Sequence, residues 1–347
     1  MRRWIPFCLL VTLAALVAPA ALPVVSKDPY IGAILVDADS GDVLYADRAD
    51  DKGYPASMLK LMDLLIILEY VQQGRLTYAD PIKVTAEASR IGGSQVYLKE
   101  HEVFSLEEML YALMVQSAND AAAALAIHIA GSKEGFIQLM NQRAAQLGMT
   151  STRFNSVHGL PPSADAQPDV TTARDFALLS REVLKHPDAL KFTSVIKRNF
   201  RPSSPQPFGM ENHNDLLASF PGCDGLKTGF IRAGGYSMSA TATRNDRRVI
   251  CVILGSREKA VRDAKAAALM SRGFLILPPK PPPPPPPPVV TNLPPVELPP
   301  VAEPERTGLP VWAVVLAALL GAALAGGAAW FFLVRPKGGD VVKRSMR

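Results

Sequence analysis

The sequence predicts an α/β domain in which an antiparallel sheet is flanked by helices and carries a helical lobe. Three observations predict it: a strand hairpin opens the body, a long run of helical patterns follows, and three closely spaced strands return before a closing helix. The connections between those last strands are too short for crossovers, so the sheet is antiparallel.

The elements follow in order. Ile31 to Val36 is apolar and branched, Asp39-Ser40-Gly41-Asp42 supplies turn chemistry, and Val43 to Ala46 resumes the strand pattern. Ser57 to Gln73 reads as a helix ending at Gly74. Its apolar residues (Leu59, Leu61, Met62, Leu64 to Leu68) leave almost no polar face, so it must be buried. Ser105-Leu106-Glu107-Glu108 is a capping box that opens a helix towards Gln116. Asp120 to Ala130 and Glu134 to Leu147 make two more, stopped by Gly131 and Gly148, and Thr172 to Lys185 another. Strands return at Asp224 to Phe230, Tyr236 to Thr243 and Arg248 to Gly255, with Arg244-Asn245-Asp246 as the last turn, and a helix from Lys259 to Phe274 closes the body. A ligand site belongs where lobe and sheet meet.

The two ends carry topology. Met1-Arg2-Arg3, an apolar run from Trp4 to Val17 and Ala18-Pro19-Ala20 read as a secretory signal, residues 1–20. The body spans 27–277. Of 31 prolines, 16 fall between Pro278 and Pro310, and eight are consecutive from Pro281, so 278–308 reads as a polyproline II spacer. Fully extended it reaches about 95 Å. Residues 311–334 are uncharged with Trp312 and Trp330 near the ends, the pattern of a transmembrane helix, and the basic tail 335–347 then belongs in the cytoplasm. The expected localisation is a cell membrane crossed once, with the body outside the cytoplasm.

The net charge of +5 looks basic, but the first three residues contribute +2 and the last thirteen +4, leaving −1 for everything between. No nucleic-acid surface follows. After signal removal only Cys223 and Cys251 remain, which permits one disulfide or two free thiols. The five histidines are scattered, without metal-ligand spacing, and no glycine-rich phosphate loop or dinucleotide fingerprint occurs; no cofactor and no metal are expected.

Three polar triplets carry chemistry. Ser57 opens the buried helix in Pro55-Ala56-Ser57-Met58-Leu59-Lys60, where free backbone amides favour an alkoxide-like nucleophile, and Lys60 stands one turn on, on the same face. A desolvated amine there can take the serine proton. Ser117-Ala118-Asn119 sits at a break between two helices, and Lys227-Thr228-Gly229 on a strand whose glycine admits close approach. Each triplet alone is ordinary: a capped helix start, an interhelical cap, an exposed strand edge. Their order and their placement on these elements set them apart.

Ser-x-x-Lys, Ser-x-Asn and Lys-Thr-Gly in this order resemble the signature of penicillin-binding proteins and class A β-lactamases. Gly41-Asp42-Val43-Leu44-Tyr45, Ser117-Ala118-Asn119-Asp120-Ala121, Leu147-Gly148-Met149, Phe154-Asn155 with Gly159-Leu160, and Asp224 to Gly229 are similar in particular to the low-molecular-mass D-alanyl-D-alanine carboxypeptidases. The resemblance covers residues 28 to 275 and implies a β-lactamase/transpeptidase-like fold. It also implies a serine-type hydrolase that removes the terminal D-Ala from peptidoglycan stem peptides through an acyl-enzyme on Ser57 and is acylated by β-lactams. Lys60 is then the base, and Ser117 and Asn119 relay protons and hold the substrate amide. Lys227, Thr228, Gly229 and Arg262 belong to the carboxylate side, and the amides of Ser57 and Phe230 form the oxyanion hole. A DD-endopeptidase acting on crosslinks and a non-catalytic wall-binding or β-lactam-sensing module are the alternatives. The Glu-x-x-Leu-Asn phrase of class A β-lactamases is missing between Asn119 and Lys227, which implies slow drug release. The chain departs from the family pattern at Leu59 and Asp63, where threonine is usual, at His213, and in passing directly from body to proline spacer.

Overall fold

The computed structural model describes residues 22–161, 167–277, 311–313, 315, 316 and 319. The chain divides into two compact units, Met1–Pro282 and Pro283–Arg347, and the sheet lies in the first. The expected signal, proline spacer and basic tail fall outside the described residues, as does most of 311–334. Among the described residues no helix is long and apolar enough to cross a membrane.

One five-stranded sheet organises the body. Strands β1 (Gly32–Asp37), β2 (Val43–Asp47), β7 (Cys223–Ile231), β8 (Gly235–Arg244) and β9 (Arg247–Ser256) lie in the order β2-β1-β9-β8-β7, and every neighbouring pair is antiparallel. The opening hairpin thus joins the closing strands through β1 and β9, in a sheet that is antiparallel throughout as the short terminal connections predict. Side chains alternate across β1. Ile34 and Val36 face the lobe with Ile250, Val252 and Leu254, whereas Ala33 and Leu35 join Met238, Ala240, Cys251 and Ile253 under α9 (Lys259–Ile276). Covered on both faces, β1 and β9 carry near-continuous apolar sequence, whereas β8 alternates Met238, Ala240 and Ala242 with buried Ser237, Ser239 and Thr241.

Helix α1 (Lys60–Gln72) fills the space between sheet and lobe, and every residue from Lys60 to Leu68 is buried. That accounts for its missing polar face. Around it stand α3 (Leu106–Tyr111), α4 (Asn119–Ala130), α5 (Lys133–Gln146) and α6 (Ala173–Val183), with the smaller helices α2 (Ala86–Ser89), α7 (Ala189–Thr193) and α8 (Leu216–Ser219). Ser105 caps α3 by accepting from the Glu108 amide, and Thr172 caps α6 through the Asp175 amide.

Three features differ from the sequence reading. Two short ribbons, β3 (Pro81–Lys83) with β4 (Val103–Ser105) and β5 (Lys197–Phe200) with β6 (Phe208–Glu211), carry only three or four residues per strand, too few to show a period. Ser57 lies in a separate 3₁₀ turn, Ala56–Leu59, ahead of α1 instead of in its first turn. The helix opened by Ser105 passes into a π turn, Ala112–Gln116, and stops at Ser117 in the left-handed conformation. Among the described residues both cysteines, Cys223 and Cys251, are free thiols. The intervening β8 keeps β7 and β9 about two strand spacings apart, beyond disulfide reach.

Candidate active site

The three triplets converge at one cavity of about 380 Å³ between lobe and sheet, lined by Ser57, Ser117, Asn119, Thr228, Gly229, Phe230 and Arg262 among others. Lys60 Nζ is the hub. It donates to Ser57 Oγ at 3.0 Å, to Asn119 Oδ1 at 2.7 Å and to the His158 carbonyl at 2.9 Å. Three acceptors match the three hydrogens of an ammonium, or fix the lone pair of an amine once one proton has left. The side chain is fully buried. Burial pushes its pKa down to about 7, against the opposing pull of Asp63, Asp120 and Asp169. A large fraction of neutral amine is then present beside the serine hydroxyl at neutral pH.

Two of these acceptors are themselves held. Asn119 donates through Nδ2 to the Gly92 carbonyl at 2.8 Å, and its own amide donates to the Ser94 carbonyl at 2.7 Å. Ser94 Oγ closes the loop onto the Gln116 carbonyl, at the end of the π turn. His158 rides on a loop pinned twice. Asn141 of α5 exchanges two hydrogen bonds with the Phe154 backbone, and Asp169 accepts from the Asn155 amide, the Ser156 amide and Ser156 Oγ. Gly159 follows with φ +79°, and a Cβ there would lie 2.3 Å from the Ala56 carbonyl, so glycine is required for this loop to reach the nucleophile turn.

Ser117 Oγ is buried at the cavity with no hydrogen-bond partner among the described residues, leaving it free for a ligand. Lys227 is buried beside the cavity without lining it. Its Nζ donates to the Thr228 carbonyl at 3.0 Å, and burial, then Lys60 and Arg262, hold its pKa well below the usual range. Arg262 lines the cavity from α9 and is anchored by Asp263 and by a 3.3 Å bond to the Ser237 carbonyl. Arg262 thus sets a guanidinium on one side of the cleft, with the buried Lys227 amine behind it. Phe230 stands half-exposed at the rim, stacked on Tyr236 with centroids 4.3 Å apart.

All nine residues expected at the site lie at or beside this cavity. Sequence reading assigned no role to the His158 carbonyl, to the Gly92 to Ser94 segment, to Tyr236 or to Lys259. The first two act through backbone atoms, which leave no side-chain mark. Among the described residues no group of three or more acidic, cysteine or histidine side chains could hold a metal ion.

Comparison with known proteins agrees with this geometry. The peptidase S11 family, described as D-alanyl-D-alanine carboxypeptidase, matches residues 29–258. The chain belongs to that family. This S11 member is 33% identical over 242 residues to the D-alanyl-D-alanine carboxypeptidase DacF of Bacillus subtilis, covering 70% of this chain and 61% of that protein. With DacC of Escherichia coli it shares 35% over 248 residues, covering 70% and 60%. It spans about three fifths of the length of these relatives. Among solved structures, the carboxypeptidase DacD of Francisella tularensis superposes with a TM-score of 0.67 at 27% identity, over 74% of this chain and 72% of that one. Penicillin-binding protein D2 of Listeria monocytogenes, in its ampicillin-bound form, gives 0.63 at 32% over 71% and 98%.

Proposed function

We propose that the protein is a serine-type D-Ala-D-Ala carboxypeptidase that removes the terminal D-Ala from peptidoglycan stem peptides. The observation that carries this reading is Lys60 Nζ at 3.0 Å from Ser57 Oγ, fully buried and held from two other sides. Ser57 Oγ attacks the carbonyl carbon of the penultimate D-Ala while its proton passes to Lys60 Nζ. The oxyanion forms against the amides of Ser57 and Phe230, donors worth about 2.7–4 kcal/mol each. Collapse breaks the C–N bond, and the departing D-Ala amine takes its proton from Lys60 by way of Ser117. Water then attacks the ester, and its proton returns through Lys60 to Ser57. Thr228 and Arg262, with the Lys227 amine behind them, receive the terminal carboxylate, and Asn119 holds the substrate amide.

A β-lactam presents a similar acyl group and carboxylate, so the same serine would be acylated by it; the ampicillin-bound Listeria relative supports this. We assign the envelope topology from sequence: signal cleavage near Ala20, a body outside the cytoplasm, a proline spacer, and a single membrane helix over 311–334. A C-terminal tag protected in spheroplasts while added protease digests the body is the expected outcome. The chemistry is tested by treating the full-length chain with fluorescent penicillin and mapping the adduct by mass spectrometry. A single adduct on Ser57, with D-Ala released from a pentapeptide, is expected. Faster cleavage of a crosslinked dimer would make it an endopeptidase, and no adduct would make it a wall-binding module.

A further inference from the structure

The two amides assigned to the oxyanion lie on different segments, Ser57 in the 3₁₀ turn and Phe230 near the end of β7. Their spacing therefore depends on what holds those segments together. Ala56, the residue before the nucleophile, is in the left-handed region with φ +47°, a conformation unfavourable for alanine that persists only where its surroundings impose it. Ile231, the residue after Phe230, ends β7 and starts the turn into β8, which the Gly234 amide closes on the Ile231 carbonyl at 3.0 Å. Ala56 and Ile231 meet, with Tyr54, in a small apolar cluster apart from the two main cores.

Residues 22–27 cover that cluster. Leu22 and Val25 pack on it, together with Val170 and Ala233. The Val25 amide donates to the Ala233 carbonyl at 2.9 Å and the Lys27 amide to the Gly255 carbonyl at 3.0 Å, so the segment is tied both to the β7–β8 turn and to β9. The fit on the turn is tight: a Cβ on Gly235 would stand 2.7 Å from Ser26 Cβ. Elsewhere the segment touches little. Val24 is 70% exposed, and a cavity of about 530 Å³ lies among Val24 to Lys27, Ile31 and Asp50 to Lys52. No residue before Tyr30 belongs to either main core. The segment is a strap fastened at two points, whose apolar contacts fall on the residues adjoining the two oxyanion donors.

We propose that Leu22 and Val25 are positioning residues for the oxyanion hole: their strap presses the β7–β8 turn and the residue before Ser57 into one apolar cluster and so fixes the spacing of the Ser57 and Phe230 amides. Neither residue touches substrate or a reacting atom. What they control is the alignment of two donors with an oxyanion, and that oxyanion forms twice, when Ser57 Oγ adds to the carbonyl carbon and when water adds to the ester. A loosened strap slows both steps. The ground-state complex, held by Thr228, Arg262 and Asn119, is little altered. This inference rests on the reading of those two amides as the oxyanion hole.

The test is rapid-mixing acylation of the full-length chain by fluorescent penicillin over a range of concentrations, followed by release of the label. It separates the maximal acylation rate, the dissociation constant of the first complex and the labelled fraction. In Leu22→Ser combined with Val25→Ser, acylation and release both slow by about tenfold, with the dissociation constant within about twofold of wild type. Leu22→Met combined with Val25→Ile, which keeps the apolar contacts, restores both rates to within about twofold. A purely structural role would lower the labelled fraction and the melting temperature with the rate constants unmoved. That result, slowing of acylation alone, or a loss carried by the dissociation constant overturns the proposal. Should the serine pair give no labelled chain, Leu22→Ala alone decides: both steps slower by about threefold support the strap, and unchanged rates refute it. Absence of any wild-type adduct sinks the carboxypeptidase reading itself, whereas a wild-type adduct with variant rates unmoved removes only the role of the strap.

Discussion

Gly229→Ala measures how closely β7 must approach the nucleophile turn. A Cβ at this position would stand 2.4 Å from the Pro55 carbonyl oxygen and 3.0 Å from the Met58 amide nitrogen. Both obstacles are backbone, so no side chain can swing away. Restoring a separation of 3.0–3.4 Å requires β7 and the 56–59 turn to part by about 0.6–1.0 Å. That movement separates the Phe230 amide and Thr228 from Ser57, the groups assigned to the oxyanion and the carboxylate. A misplacement of about 1 Å at a reacting centre costs about 100-fold in rate, and overpacking costs about 1–3 kcal/mol in stability. The assay is the second-order rate of acylation by fluorescent penicillin, with melting followed in parallel. An alanine variant that acylates within about threefold of wild type would refute the claim that this contact sets the oxyanion geometry.

Three further outcomes are expected. Asn119→Ala deletes the 2.7 Å acceptor of Lys60 and the donor to Gly92, so acylation falls by about 100-fold and stability by about 1–3 kcal/mol; retained activity would show that the His158 carbonyl alone aims the amine. Because Lys60 drops from 10.5 to about 7 on folding, its burial destabilises the native state increasingly as pH falls through that interval, and by a constant amount below it. Lys60→Met should therefore gain melting temperature relative to wild type more at pH 6 than at pH 10, and an equal difference at both would contradict the assigned shift. Burial raises the Cys223 thiol to about 11 and the Cys251 thiol higher still. Thiol reagents should thus leave Cys251 untouched until unfolding, and reductant should not change the melting temperature; a reductant-sensitive transition would contradict two free thiols.

Much of the fold was legible because its signals are local. The Ser105 capping box, the Gly131 stop and the Asn245–Asp246 turn each specify a boundary through the residues at that boundary, and the structure places boundaries there. The ribbons β3–β4 and β5–β6 left no such trace, being stabilised by what they pack against. The side chains of the site were legible for a different reason, the order of three short motifs. What holds them was not: the π turn that aims Ser117 and the pinned loop that offers the His158 carbonyl depend on contacts between residues far apart in the chain.

The sequence by itself determined the antiparallel α/β class, the burial of α1 and the identity of the side chains gathered around Ser57, since periodicity and residue chemistry are properties of short stretches. Only the tertiary structure decided that Lys60 is fully desolvated, that Asp63 has no donor among the described residues, and that Lys227 supports the cleft from behind its wall. A pKa or an unmet hydrogen bond belongs to a packed surrounding assembled from distant segments, and no single stretch of sequence contains that surrounding.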